Sequence, residues 1–429
     1  MTAIRLILLT FFLMNFSLAF YCKPKESLSE HKKQALDAWT AKVARDSKTA
    51  DLRNVALVSE IDWPIDENGT MKKCLIKEPN VSKTDFDVDE KYWKKLEDLN
   101  VQMKQEIDFY SSFSFFSSQL KDNFVNFEDC FIGEDNKFFS VLEKLDFDLD
   151  RISKIAKVQG QDKLVKIPFG KLPGGIKFLY LKSMIDNVKT FHNHDYLHND
   201  ISPRSFMATR ADAQTKLTDF AAVSSVEKYE NQGYLTFAHP LKRQYNALLT
   251  KNASEAEKAL QQIRKIGLKK LDVWSLGISF ILLVDPALGK VISDIPEDCL
   301  DIKEKLKPLF KDINDLKWYE KSGLDLHFSE GFWPLKSQTH LKDIIQSMVN
   351  IDDEKIEANL DLLSVKMDLI YFSNDKTIEN DRFMYFYEGL GLQYTSLKEE
   401  KRSELIKDAK LRLTKASSKS AGSKKIVLV

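Results

Sequence analysis

The segment Tyr196–Ala221 reads YLHNDISPRSFMATRADAQTKLTDFA. Its two aspartates, Asp200 and Asp219, lie in short apolar-flanked stretches, His198–Ile201 and Leu217–Phe220. A loop carrying Pro203, Arg204 and Ser205 separates them. An acid held by strand-like flanks on each side of a tight loop can aim two carboxylates at one place. One then accepts a proton from a hydroxyl, and the other holds a divalent cation against phosphate oxygens.

The segment resembles the catalytic loop and metal-binding motif of the protein kinase family, H-R-D-L-x-x-x-x-N followed by D-F-G. Here the first reads HND, with Ser205 in the asparagine place, and the second reads DFA. Working outward, further family landmarks occur in order. Val55–Ile65 alternates, turns at Asp66–Gly69, and returns as Met71–Glu78, a hairpin signal. The returning strand ends in CLIK, similar to the kinase V-A-I-K, with Lys77 in the lysine place. A helical periodicity spans Asp87–Ser117 and contains QEIDFYSSF, where Glu106 stands for the glutamate that pairs with that lysine and Tyr110 follows one turn on. Phe124–Ile132 and Lys137–Leu142 read as a second hairpin, leading through VLEKL toward a hinge. Ile176–His194 has helical spacing and delivers the chain to His198.

Downstream, GYLTFAHP, residues 233–240, resembles the end of an activation segment, with Leu241 replacing the A-P-E glutamate. Asn252–Lys265 is a charged helical insert, and LDVWSLGISFILL resembles the buried helix whose aspartate, here Asp272, bonds catalytic-loop amides. Leu341–Asn350 resembles a later family helix, and Ile356 holds the place of the arginine that would pair with the missing glutamate. Both partners of that ion pair are absent together, as expected where a single unpaired buried charge would be costly.

The resemblance implies an α+β, bilobal protein-kinase-like fold at about 55–365. A small β-rich N-lobe would span about 55–145, and a larger helical C-lobe about 146–365. A helical extension, 20–54, would precede it, and a second, 366–415, would follow it. The Ser/Lys-rich 416–429 reads as a disordered tail. In the roles so implied, Asp200 accepts the hydroxyl proton and Lys77, fixed by Glu106, holds ATP phosphates. Leu142, Glu143, Leu145 and Met207 face the base. Asp219 and Ser205 ligate Mg2+, while His198, Phe220 and Asp272 are structural.

The departures are as informative. Asn199 replaces the arginine that answers a phosphorylated activation loop, and Ser202 replaces a catalytic-loop lysine. Ala221 replaces the flexible glycine of D-F-G and should restrict the backbone there. Nothing before Lys77 resembles G-x-G-x-x-G, since only Gly69 and Gly133 occur before residue 160. Glu60, Asp62 and Trp63 are expected near the place of the phosphate-covering loop. Three classes stay open: a kinase-like enzyme acting on protein, a pseudokinase that binds without turnover, and a small-molecule kinase of the choline or aminoglycoside type.

Lys+Arg and Asp+Glu balance at 64 each, so no global field favours nucleic acid or an anionic membrane; the partner that the resemblance implies is a protein substrate or binding partner. Residues 1–19 combine a basic start, the apolar run Leu6–Leu13 and the small residues Ser17-Leu18-Ala19. That is a signal-peptide pattern, predicting entry to the secretory pathway with no transmembrane span after cleavage. Sequons at Asn68, Asn80 and Asn252 predict glycosylation. Cys22, Cys74, Cys130 and Cys299 permit up to two disulfides in three pairings.

Overall fold

The computed structural model describes residues 22–45, 51–52, 56–81, 89–113, 122–149, 153–158, 161–166, 169, 174–209, 214–227, 229, 233, 235, 237–249, 251–284, 291–292, 294–296, 299, 304–305, 308, 335–350, 353–372, 404, 407–408 and 410–412. The expected signal peptide and C-terminal tail lie outside these residues. The architecture is mixed α+β, sheet-rich in its N-terminal region and helical in its C-terminal part. It divides into two compact units, Met1–Leu145 with Asp219–Val223, and Asp146–Thr218 with Ser224–Val429.

The first unit is built on period-2 alternation. Its elements are β1 (Lys23–Pro24), α1 (Glu30–Arg45), β2 (Asp51–Leu52), β3 (Ala56–Pro64), β4 (Met71–Pro79), α2 (Asp89–Phe113), β5 (Phe127–Ile132) and β6 (Phe138–Glu143). The strands form one six-stranded sheet in the order β1-β5-β6-β4-β3-β2, antiparallel except for the β1–β5 pair. Cys74 and Ile76 of β4, Ile61 and Trp63 of β3, and Phe139 and Val141 of β6 share one buried cluster with Leu28, Ala35 and Leu36. The amphipathic α1 thus covers one face of the sheet, and Trp39 Nε1 donates to Ser59 Oγ at 2.8 Å. Strand residues alternate in direction, so Lys77 points away from the Cys74–Ile76 face. The Cys22–Cys130 disulfide fastens the N-terminal strand beside β5, while Cys74 and Cys299 are free and buried.

The strand register corrects one expectation. Val58 pairs with Lys77, whereas Trp63 pairs with Lys72, and the β3–β4 turn lies beyond them at Asp66–Gly69. Trp63 therefore stands five residues along β3 from the lysine's partner, about 17 Å away at strand rise. Trp63 is buried and stacked on Phe131, and Glu60 pairs with Lys144 at 2.7 Å. Glu60, Asp62 and Trp63 are thus strand residues that run toward the far turn. Residues 53–55, between β2 and β3, lie outside the described residues.

The second unit comprises β7 (Phe147–Asp148), β8 (Ser153–Val158), β9 (Gln161–Lys166), α3 (Gly174–Asn193), β10 (Tyr196–Leu197), β11 (Phe206–Ala208), β12 (Thr215–Leu217), β13 (Ser224–Ser225), α4 (Pro240–Leu249), α5 (Ala253–Ile266), α6 (Lys269–Val284), α7 (Leu335–Met348) and α8 (Leu360–Phe372). Its helices pack because their apolar faces have no other cover: Phe178, Leu181, Met184, Ile185, Val188 and Phe191 of α3 are all fully buried. The helix α6 is apolar nearly all round and is a core helix. Gly277 lets the end of α7 close on it, since a Cβ there would stand 2.9 Å from Met348 Cβ and 2.8 Å from Cγ2 of the following Val349. Short ladders β7–β11–β12 and β10–β13 frame the segment that holds Asp200. β8 and β9 pair antiparallel as a separate two-stranded ladder. Among the described residues no helix is long and apolar enough to cross a membrane.

Candidate functional site

In the first unit a buried ammonium stands between two carboxylates. Lys77 Nζ lies 2.6 Å from Glu106 Oε2 and 2.8 Å from Asp219 Oδ1. β4 supplies the lysine on its α2-facing side, and α2 supplies Glu106. Glu106 is completely buried, whereas about a third of the Asp219 side chain is exposed. Burial opposes the charge on Lys77, but Asp219 and Glu106 outweigh it and hold the ammonium above the ordinary lysine value. Burial raises Glu106 above the usual carboxylate range, against the pull of Lys77 and with the push of Asp219.

Asp219 adopts φ +69°, the left-handed region, which aspartate tolerates better than most side chains. The next residues, Phe220–Ala222, form a single 3-10 turn. The unusual backbone thus falls on Asp219, and Ala221 occupies a conformation that alanine accepts readily. Phe220 is fully buried against Phe109, Tyr110 and Phe124, with ring centroids 4.6, 5.0 and 5.8 Å away. Phe109 and Tyr110 belong to α2, the helix that carries Glu106, and anchor the turn to it.

Of the residues expected to meet a base, Leu142 is buried in β6, where it pairs with Leu75, and Leu145 is buried two residues past the strand. The Glu143 backbone N–H donates to Asn126 O at 2.8 Å, so this hydrogen-bond donor is already spent within the unit. Met207 is a buried residue of β11 in the second unit, paired with Asp148 and Lys216.

In the second unit the Asp200 loop is fixed by its backbone. Asp272, buried in the first turn of α6, accepts from His198 N at 2.7 Å, Asn199 N at 2.9 Å and His192 Nε2 at 3.0 Å. Burial would raise this carboxyl, but those donors and the neighbouring histidines hold it below the ordinary value. His198 Nε2 donates to Thr218 O at 3.0 Å, and its Nδ1 accepts from Asp200 N at 3.3 Å, which fixes the tautomer. The Ser205 hydroxyl donates to Asp200 O at 2.8 Å and accepts from Ser202 N at 3.2 Å. Ser205 is buried and closes the Pro203–Ser205 turn as half of a capping box with Ser202. The sequence-predicted metal ligand is therefore engaged as a brace of the loop.

Asn199 takes φ +63°, with Nδ2 donating to Ser224 Oγ at 2.9 Å and to Leu197 O. Two neighbours of this loop were not singled out from sequence, Lys242 and Gly233. Lys242 Nζ donates to Asn199 O at 2.7 Å, and a Cβ on Gly233 would stand 2.4 Å from that same oxygen. The signal for Gly233 was its glycine identity in a polar segment. Lys242 carried none, because lysines in a helix are ordinarily solvated.

Asn68 and Asn252 are exposed and Asn80 is half-buried. Asn252 also caps α5, accepting from Glu255 N at 3.2 Å. Among the described residues no group of three or more His, Cys, Asp or Glu side chains could hold a metal ion. Comparison of the chain with protein-family models and with curated proteins finds no match in either.

Proposed function

We propose that the protein is a divergent protein-kinase-like phosphotransferase of the secretory pathway, bilobal in fold, using ATP and Mg2+ to phosphorylate a hydroxyl of a protein. The observation that carries this reading is Lys77, held between Glu106 and Asp219. A buried cation with two carboxylates is costly to desolvate, and replacing such a group with apolar residues is often neutral or stabilising. Its presence is thus better explained by binding phosphate than by stability. The second support is the Asp272-clamped loop, in which the backbone N–H groups of His198, Asn199 and Asp200 and the Asp200 carbonyl are all hydrogen-bonded while the Asp200 residue is half-buried.

In this reading Lys77 binds the α- and β-phosphate oxygens and Glu106 keeps it extended. Asp200 takes the proton of the acceptor hydroxyl as its oxygen bonds to the γ-phosphorus and the bond from that phosphorus to the ADP oxygen breaks. Asp219 would hold Mg2+, which supplies neutralisation of phosphate charge when bound. One carboxylate with substrate phosphates suits that ion, which is seldom caged by protein alone. The Cys22–Cys130 disulfide supports passage through an oxidising compartment.

A specific observation favours a second reading, a nucleotide-binding pseudokinase. The Ser205 hydroxyl, in the second-ligand place, is committed to the loop. The discriminating measurement is nucleotide-dependent thermal shift with and without Mg2+, paired with transfer assays. Asp219→Asn should abolish Mg2+-dependent nucleotide affinity. Asp200→Asn should spare that affinity and reduce transfer by a factor on the order of a hundred or more. Nucleotide binding without any transfer that Asp200→Asn removes selects the pseudokinase, and absence of both sinks the nucleotide reading.

A further inference from the structure

We propose that Lys242 is a positioning residue for Asp200: its buried ammonium grips the Asn199 carbonyl and, with Asp272, locks the peptide that aims the Asp200 carboxylate. Lys242 lies in the first turn of α4 and is only 2 % exposed. Its Nζ lies 2.7 Å from Asn199 O, while Asp272 Oδ1 receives the Asn199 N–H at 2.9 Å. Asn199 is therefore held by a carboxylate at its N–H and by an ammonium at its C=O. Both charges act on a left-handed residue immediately before Asp200, where a change of one dihedral would redirect the carboxylate. Gly233 closes the same carbonyl from another side, with no room for a Cβ.

A buried lysine at a helix N-terminus is an unfavourable place for positive charge, so a purely structural contact there would be served better by a neutral donor. Burial pushes Lys242 down to about 8, against the opposing pull of Asp200 and Asp272. The charged groups bearing on it are thus Asp200 in the loop and Asp272 on α6, with His192 and His198 bonded to or beside Asp272. On its own helix Arg243 is turned to the Ile295 and Pro296 carbonyls. As the ammonium loses its proton the grip weakens, and the loop should lose its alignment over the same pH interval.

The kinetic arm of the test rests on the phosphotransfer reading; the spectroscopic arm does not. Lys242→Met should lower kcat on the order of tenfold to a hundredfold while leaving the KM for ATP unchanged, because only alignment is lost. The wild type should lose transfer as pH rises through about 8. Lys242→Arg, whose guanidinium keeps its charge, should restore transfer and remove that alkaline limb. In parallel, the Asn199 and Asp200 backbone amide signals of the wild type should titrate with a midpoint near 8 and stay flat in Lys242→Met. If the wild type transfers no phosphoryl group, the enzyme reading fails and the amide titration alone decides the role of Lys242. Wild-type amides that do not move across about one pH unit either side of that midpoint overturn the proposal whether or not either variant folds. A Lys242→Met enzyme with normal kcat and an intact alkaline limb overturns it equally.

Discussion

Removing the Lys77 ammonium leaves its two carboxylate partners in unequal positions, because Asp219 reaches solvent and Glu106 does not. Lys77→Met should therefore destabilise the protein by about 3 kcal/mol near neutral pH, with Glu106 as the stranded charge. Glu106 already titrates above its ordinary 4.5, and without Lys77 its folded-state value rises further. Over the interval above 4.5 the folded variant then holds a proton that the unfolded chain has released, so stability must fall as pH rises. Urea denaturation of wild type and variant at about pH 5 and about pH 8 reads this, and a variant deficit that shrinks toward pH 8 contradicts it. The contact between Lys77 and Glu106 was expected from the resemblance alone, which puts Lys77 in the place of a strand lysine and Glu106 in the place of the glutamate that pairs with it. The direct bond between Lys77 and Asp219 was not. It depends on the left-handed backbone at Asp219, and φ cannot be read from a residue type that tolerates several regions.

At the scale of elements, hairpins and long helices were readable because their signals are local. Asp66–Gly69 turns the β3–β4 hairpin through backbone bonds between Ile65 and Thr70 and between Gly69 and Asp66, with the Asp66 carboxylate capping Thr70. The short β10–β13 and β11–β12 ladders were less legible. Two- and three-residue strands carry no period. The places where the resemblance implies an A-P-E glutamate and its arginine illustrate the same limit. Leu241 and Ile356 are both buried in their places, and the adjacent His239 Nε2 approaches Asp353 Oδ1 at 3.3 Å while its ring packs on Trp274. The sequence showed what was absent there, but a His–Asp pair more than a hundred residues apart becomes visible only in three dimensions. The close approach of Gly233 to the Asn199 carbonyl gives a test at this scale. Gly233→Ala adds a Cβ 2.4 Å from that oxygen at φ +96°, and should cost about 2 kcal/mol in thermal or chemical denaturation. A Gly233→Ala protein with unchanged stability would mean the segment is free to move off the loop.

For the molecule as a whole, the Cys22–Cys130 bond ties residues 108 apart in sequence. Closing so long a loop restricts the unfolded chain, so Cys22→Ser with Cys130→Ser should lower stability by about 2–5 kcal/mol, measured by denaturation against the oxidised wild type. The N-terminal helix α1 should loosen first in hydrogen exchange, since the disulfide and a two-residue strand are what fix the segment preceding it. The order of synthesis sets a further condition. Cys22 emerges before Cys74, and Cys74 before Cys130, so the correct partner follows Cys22 by roughly 5–20 s at ordinary elongation rates. During that wait the thiol available to Cys22 is the wrong one, and packing of the β3–β4 hairpin against α1, both of which precede Cys130 in the chain, withdraws it. The raised pKa of Cys74, pushed to about 11 by its burial, then keeps it from exchanging. Native pairing is thus a race between strand docking and oxidation: Cys74→Ala should increase the yield of correctly oxidised protein without changing its final stability by more than about 1 kcal/mol.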